Sequence, residues 1–278
     1  MRQDTSAHPE PDVRTRRRSA PARVRLDLLV VDRGLAPSRE RARALILAGQ
    51  VRVDARVVTK GGTVVPHDAV VVLTVPDHPY VGRGGIKLAH ALDVFQVDVR
   101  GRLALDIGAS TGGFTDVLLQ RGATTVVALD VGRGQLDWRL RCDPRVLVRE
   151  RVNARALRPA DLPHLVDVVT IDVSFISLKL ILPVVPPLLT LQGEVIALVK
   201  PQFEAGRADV GKGGVVSDRA VHDAVVARVM GAGEAAGLEC VGRTESPITG
   251  ATGNREFFVH FRRVAAIADA EPGSPRTA

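Results

Sequence analysis

The feature that most limits what this chain can fold into is a series of five short apolar runs along residues 103–200: LALDI (103–107), TTVVALD (124–130), RVLVR (145–149), VDVVTID (166–172) and EVIALVK (194–200). Runs this short, rich in Val, Leu and Ile, read as strands buried on both faces. The stretches between them are long enough to cross over, which makes βα units and a parallel sheet covered by helices on both sides. After a long helix at roughly 217–236, LECVGRTES and EFFVHF follow with no helix between them, so they close the sheet as an antiparallel pair. The expected class is α/β, with a mainly parallel seven-stranded sheet.

The residues before this pattern divide further. Residues 1–22 are polar, basic and proline-bearing, and read as a disordered arm. Residues 23–75 read as a small α+β module. LDLLVVDRGL is a short helix closed by Gly34. SRERARALILAG is a second, capped by Ser38 and Gly49, with Arg41 and Arg43 outward. QVRVDARVV and AVVVLTV read as strands joined through the turn-rich GGTVVPHD. The proline- and glycine-bearing PDHPYVGRGGIK marks the boundary, giving a linker at 76–86, a second domain at 87–263 and a loose tail at 264–278. A net charge of +7 favours a polyanionic partner, whereas 3% aromatics argues against sequence-tolerant base stacking on aromatic platforms. Two cysteines give neither a disulfide framework nor metal-ligand spacing, so a reducing cytoplasm and no metal are expected. The amino terminus lacks a signal-peptide core. LKLILPVVPPLLTL, broken by three prolines, does not read as a span, so no membrane association is expected.

In an open α/β sheet, ligands bind at the carboxyl ends of the strands. The first strand here ends in DIGASTGGF, with glycines at 108, 112 and 113, which is not the G-x-G-x-x-G of dinucleotide binders. Asp130 ends the second strand, where an acid binds ribose hydroxyls, of a nicotinamide cofactor or of another adenosine-bearing one. Asn153 follows the third strand, to contact a base or simply to make a turn. Asp172 and Lys200 end the fourth and fifth. Only five of the 38 basic residues are lysine (Lys60, Lys87, Lys179, Lys200, Lys212). Arginine keeps its proton in a protein and lysine can lose it, so Lys200 is a candidate base; the alternative is an ammonium pointing into water. An Asp172 partner would fix the amine but raise its pKa, so a second cation such as Lys87 would have to oppose it. Glu256 opens the last strand. An ion-pair network without a catalytic role remains the alternative for these four residues.

Three resemblances sharpen these readings. RGLAPSRERARALILAGQVRVD resembles the RNA-binding domain named after ribosomal protein S4, which implies contact with structured RNA through Arg39, Arg41 and Arg43, with Arg25 and Arg33 beside them; a solvated helix face is the alternative. D-x-G-x-x-x-G-G-F resembles the first motif of S-adenosylmethionine-dependent methyltransferases. It implies that Asp106 accepts from the methionine ammonium and that Gly108, Ser110, Gly112, Gly113 and Phe114 wrap the amino-acid part. Asp130 and Asn153 would then hold ribose and adenine, with Asp172 at the edge of the site. The order Lys87, Asp172, Lys200, Glu256 resembles the K-D-K-E tetrad of FtsJ-like ribose 2′-O-methyltransferases. Together with DVSFIS, LVKPQFE and GNREFF, and the S4-like module, the stretch from Val24 to Phe261 resembles the TlyA family of ribosomal RNA cytidine 2′-O-methyltransferases. GRGGIK stands where that family leads one to expect SRGAHK, and HPYV where some members carry an arginine and a tryptophan.

The family resemblance implies a Rossmann-like methyltransferase domain behind an S4-like one, using S-adenosylmethionine. Lys200 would take the proton from a cytidine 2′-hydroxyl, with Lys87 depressing its pKa and Asp172 and Glu256 orienting the amines. The substrate would be ribosomal RNA or ribosomal subunits, both 16S and 23S as for the longer family members, and not DNA, which lacks the nucleophile. Rivals from other classes are a non-catalytic RNA-binding protein, a nicotinamide-dependent oxidoreductase and a membrane-active haemolysin.

Overall fold

The computed structural model describes residues 22–74 and 78–264. The expected arm and tail lie, apart from their innermost residues, outside the described residues. The chain forms two compact units that part between Asp77 and His78.

In the first unit, β1 (Arg23–Arg25) leads directly into α1 (Leu26–Asp32), and α2 (Arg39–Leu47) follows with Ser38 accepting from the Arg41 amide as its N-cap. Gly34 and Gly49 adopt left-handed φ values just past the two helices, as helix ends require. β2 (Val51–Val53), β3 (Arg56–Val57), β4 (Val64–Pro66) and β5 (Val71–Leu73) complete the unit. QVRVDARVV is therefore a hairpin rather than one strand. Asp54 and Ala55 have φ of 45° and 69°, the left-handed pair that a two-residue turn needs. GGTVVPHD, expected to be all turn, contains β4, which pairs antiparallel with β1. Leu26, Leu29, Val30, Leu45 and Ile46 pack against Val51, Val65 and Val71 as a separate small core.

The second unit begins with α3 (Gly84–Phe95), which sequence reasoning had assigned in part to a linker. Its preceding residues are docked too: the Val81 amide donates to Asp116 at 2.8 Å. Then come β6 (Leu103–Ile107), α4 (Gly113–Gln120), β7 (Thr125–Asp130), α5 (Trp138–Arg141), β8 (Val146–Glu150), β9 (Val166–Ile171), β10 (Leu189–Val199), α6 (Pro201–Glu204), α7 (Arg219–Ala235), β11 (Leu238–Glu245) and β12 (Phe257–Arg263). The seven strands run in the order β11-β12-β10-β9-β6-β7-β8, with β6 to β10 parallel and β12 antiparallel to both its neighbours. No full helix forms between β9 and β10. Pro183, Pro186 and Pro187 remove the amide donors a helix would need, and three single 3₁₀ turns take its place.

Strand parity fixes what each face carries. On β10, Val195, Ala197 and Val199 pack with Val225, Val226 and Val229 of α7, whereas Ile196 and Leu198 pack with Leu88 and Leu92 of α3 and Val117 and Leu118 of α4. The same alternation places Val168 of β9 and Phe258 of β12 on the α3/α4 side. Two residues beyond each of these buried positions, or two before in β12, lie Thr170 then Asp172, Lys200, and Glu256. The sheet thus aims all three charged residues to the side on which α3 carries Lys87.

Candidate active site

The carboxyl ends of β9 and β10 bring Asp172 and Lys200 into an ion pair of 2.5 Å, and Ser174 accepts from the same amine at 2.9 Å. On β12 the register pairs Phe257 with Val199, so Glu256 stands across from Lys200 at the start of the neighbouring antiparallel strand. Its carboxylate holds the nearly buried Lys87 amine at 2.5 Å. The four residues therefore form two lysine–carboxylate pairs along the same sheet end. Neighbouring turns fix the partners. Glu204, the last residue of α6, accepts from the Ser177 hydroxyl at 2.6 Å and the Leu178 amide at 2.7 Å, which ties the chain after Lys200 to the loop that carries Ser174. Burial pushes the Glu204 carboxyl up from its ordinary pKa, against these two hydrogen bonds. Asn254, wholly buried, accepts from the Val216 amide and donates to the Gly214 carbonyl and the Thr252 hydroxyl, bracing the loop before Glu256.

Beside the Asp172–Lys200 pair lies a cavity of about 490 Å³, lined among others by Gly108, Ser110, Asp130, Asn153 and Asp172. A smaller recess of about 110 Å³ shares Gly108, Ser110 and Asp172 with it and adds Gly113 and Phe114. Asp130 accepts from the Ser110 amide at 2.8 Å and the Gly132 amide at 2.7 Å, fixing the turn after β6. Asn153 lines the cavity and also accepts from the Arg155 amide, which is the turn role. At Gly108, φ is +87° and a Cβ would lie 2.4 Å from the Asp172 carbonyl oxygen, so only glycine lets the two strand ends meet.

Three expected contacts differ. Asp106 is 0% exposed and does not line the cavity. It has the parity of Ala104 and points under α4, where Thr115 donates to it at 2.7 Å and Thr170 at 2.9 Å. Burial pushes its carboxyl up to about 7, with the hydroxyls opposing and Asp172 adding to the rise. Gly112 faces inward: a Cβ there would strike Leu140 and Leu136, so its role is packing. Phe114 lines the recess but is buried, with its ring packed against Phe258. Conversely, the composition-based expectation overlooked Phe175. It is 91% exposed at the cavity edge with φ of +62°, its ring 5.0 Å from that of Phe203. An exposed aromatic in the DVSF turn, on the strand end that carries Asp172, was the available signal.

Of the arginines expected to meet RNA, Arg33 is committed to structure, donating to the Ala69 carbonyl at 2.6 Å and the His67 carbonyl at 2.5 Å. Arg25, Arg39 and Arg43 converge on one carboxylate, Asp27, which sequence reading passed over. Arg41 is half-buried, its amide on Ser38.

The comparisons agree with this architecture. Residues 80–263 match the FtsJ-like methyltransferase model and residues 24–71 the S4 domain model. YqxC of Bacillus subtilis is 50% identical over 240 residues, 85% of each chain. The 16S/23S rRNA (cytidine-2′-O)-methyltransferase TlyA of Mycobacterium tuberculosis is 47% identical over 241 residues, 86% of this chain and 90% of that one. A solved structure from Streptococcus thermophilus, provisionally described as a hemolysin, superposes with a TM-score of 0.70 at 42% identity over 89% of this chain and 90% of that one. Among the described residues no helix is long and apolar enough to cross a membrane. The match over residues 80–263, which spans the seven-stranded unit, makes this chain a member of the FtsJ-like methyltransferase family, carrying an S4 domain on its amino-terminal side.

Proposed function

We propose that this protein is an S-adenosylmethionine-dependent ribosomal RNA methyltransferase that modifies the 2′-hydroxyl of cytidine, in 16S and 23S RNA as the name of the Mycobacterium tuberculosis relative states for that protein. The observation that carries the reading is the Lys200 amine, held by Asp172 and Ser174 at the edge of a cavity of nucleoside dimensions.

The residues present fit the cofactor. The large cavity suits an adenosine, with Asp130 placed for ribose hydroxyls and Asn153 for the base, and the recess at Gly108, Ser110 and Gly113 suits the amino-acid part. Asp106 acts beneath the surface, stiffening the turn through Thr115 and Thr170. When bound, the cofactor supplies an electrophilic methyl group on a sulfonium. Lys200 takes the proton that leaves the ribose hydroxyl, and Asp172 and Ser174 hold its amine toward that proton. Lys87, fixed by Glu256, stands at the same strand ends as a second held amine. Positioning can supply up to roughly 7–11 kcal/mol, more than the about 10²–10⁴-fold of the proton transfer, so the pairs that fix the amines matter as much as basicity. The exposed Phe175 ring offers a face on which a splayed target base can stack. Because the 2′-hydroxyl is the nucleophile, DNA is excluded.

The test uses ribosomal subunits from cells lacking the modification, isotope-labelled S-adenosylmethionine, and mass spectrometry of digested nucleosides. Label recovered as 2′-O-methylcytidine with wild type, and lost in both Lys200→Ala and Lys200→Arg, is the expected result. Label on a nucleobase refutes the assignment of the four residues. Activity kept by Lys200→Arg makes the role of Lys200 purely electrostatic.

A further inference from the structure

The inference concerns the S4 unit and rests on reading that unit as an RNA-binding module. Asp27 lies in the first turn of α1 and is 0% exposed, a costly place for a charge without partners. It has three. Arg25 donates through Nε and Nη2, each at 3.0 Å; Arg39 donates through Nε at 3.0 Å; Arg43 donates through Nε at 2.9 Å. The hydrogen bonds from Arg25 hold the carboxyl far below its ordinary pKa, and those from Arg39 and Arg43 add to the effect against the cost of burial.

One carboxylate cancels one of three positive charges, so the cluster keeps a net charge of about +2. The arginine side chains remain 42%, 46% and 55% exposed. Arg39 and Arg43 spend only Nε on Asp27, and their Nη groups have no hydrogen-bond partner among the described residues. Those are the groups that make two-pronged contacts with a phosphate. The backbone closes the arrangement. The Asp27 amide donates to the Gly61 carbonyl at 3.1 Å, and a Cβ at Gly61 would lie 3.2 Å from the Arg43 side chain. Lys60, in the same turn, is exposed. Without Asp27, three guanidiniums from β1 and two successive turns of α2 would repel and spread.

We propose that Asp27 is a positioning residue that gathers Arg25, Arg39 and Arg43 into a single preformed seat for one phosphate of an RNA backbone. Simple charge counting predicts the opposite effect of its loss, since Asp27→Asn makes the protein more basic and should tighten RNA binding.

The experiment measures affinity of the full chain for a fluorescein-labelled structured hairpin RNA across a salt series, by anisotropy. It compares wild type with Asp27→Asn, with the charge-preserving Arg39→Lys/Arg43→Lys pair, and with Arg25→Ala/Arg39→Ala/Arg43→Ala, each checked by thermal unfolding. Positioning predicts that Asp27→Asn and the lysine pair each weaken binding by about tenfold at moderate salt, and that the triple alanine variant also flattens the salt dependence. If Asp27→Asn does not fold, the lysine pair alone decides, because it leaves Asp27 and the total charge in place. Unchanged or tighter binding by a folded Asp27→Asn, or wild-type binding by the lysine pair, overturns the proposal. Wild-type binding by the triple alanine variant overturns the assignment of these arginines to RNA, a different failure from loss of positioning alone.

Discussion

Replacing Asp106 with asparagine should make the stability of the protein less sensitive to pH in a direction opposite to ordinary acid denaturation. The folded carboxyl titrates near 7 because it is fully buried, against an ordinary value of 3.8 for an unfolded chain. Between those two values the unfolded chain has released the proton and the folded one retains it, so each added pH unit lowers stability by about 1.4 kcal/mol. Below the lower value there is no penalty, and above the higher one it levels off at about 4 kcal/mol. Asparagine has the same shape, can accept from one of Thr115 and Thr170 and donate to the other, and has no charge to bury. Urea unfolding of the cofactor-free protein and of Asp106→Asn, at about pH 5 and about pH 8, should show wild type losing roughly 3 kcal/mol relative to the variant over that interval. The difference between the two proteins cancels carboxylates that titrate alike in both. Parallel pH profiles, or a wild type that gains on the variant as pH rises, would refute the reasoning.

Gly108→Ala should lose measurable S-adenosylmethionine binding and at least about 1–3 kcal/mol of stability, because the new Cβ meets the Asp172 carbonyl in a left-handed conformation; calorimetry and chemical denaturation read the two effects. Gly85→Ala places a Cβ 2.3 Å from the Tyr80 ring and 2.4 Å from the Tyr80 Cβ and should cost about 1–3 kcal/mol, a loss that Tyr80→Gly, which removes both, should largely remove in a double-mutant cycle. Additive effects would show that the two side chains do not meet. Asn254→Ala leaves the buried Val216 amide without its acceptor and should cost about 1–3 kcal/mol, with turnover falling more than cofactor affinity as Glu256 loses its brace; equal falls would contradict that split.

The parallel sheet was legible because each of its strands is a dense apolar run ending in a chemically distinctive residue, and those endings are what the sheet lines up. The antiparallel pair was legible from the missing helix between LECVGRTES and EFFVHF. What escaped depended on long-range partners. β1 and β4 are three residues each and pair as strands only with one another, so neither rises above its local background. α3 begins in glycines that locally read as linker; they are there because α3 and α4 approach so closely that a Cβ on Gly113 would lie 3.0 Å from the Gly85 amide nitrogen. At the site, residue identity gave the four charged groups and the Asp172–Lys200 pair but not the Lys87–Glu256 one, and the serine that holds Lys200 was not singled out. Asp106 was found but misread, since the sequence shows an acid at a strand end without showing which face it points to. Asp27 looks like a solvated charge in a helix start until Arg39 and Arg43, distant in sequence, are seen around it together with Arg25.

The carboxylate that fixes Lys87 lies 169 residues later in the chain, on a strand that enters the sheet between its earlier neighbour and the edge. Synthesis therefore delivers the parts of this site in a set order. The cradle formed by the ends of β6 to β9 is complete in sequence while Glu256 has yet to emerge from the ribosome. A growing chain can have the lysine pair and the cavity wall, but the Lys87 ammonium has no counter-ion until β12 slots in beside β10. The Lys87–Glu256 pair can therefore form only after the segment at residues 256–263 has been made, so the site gains its second charge pair later than its cavity wall.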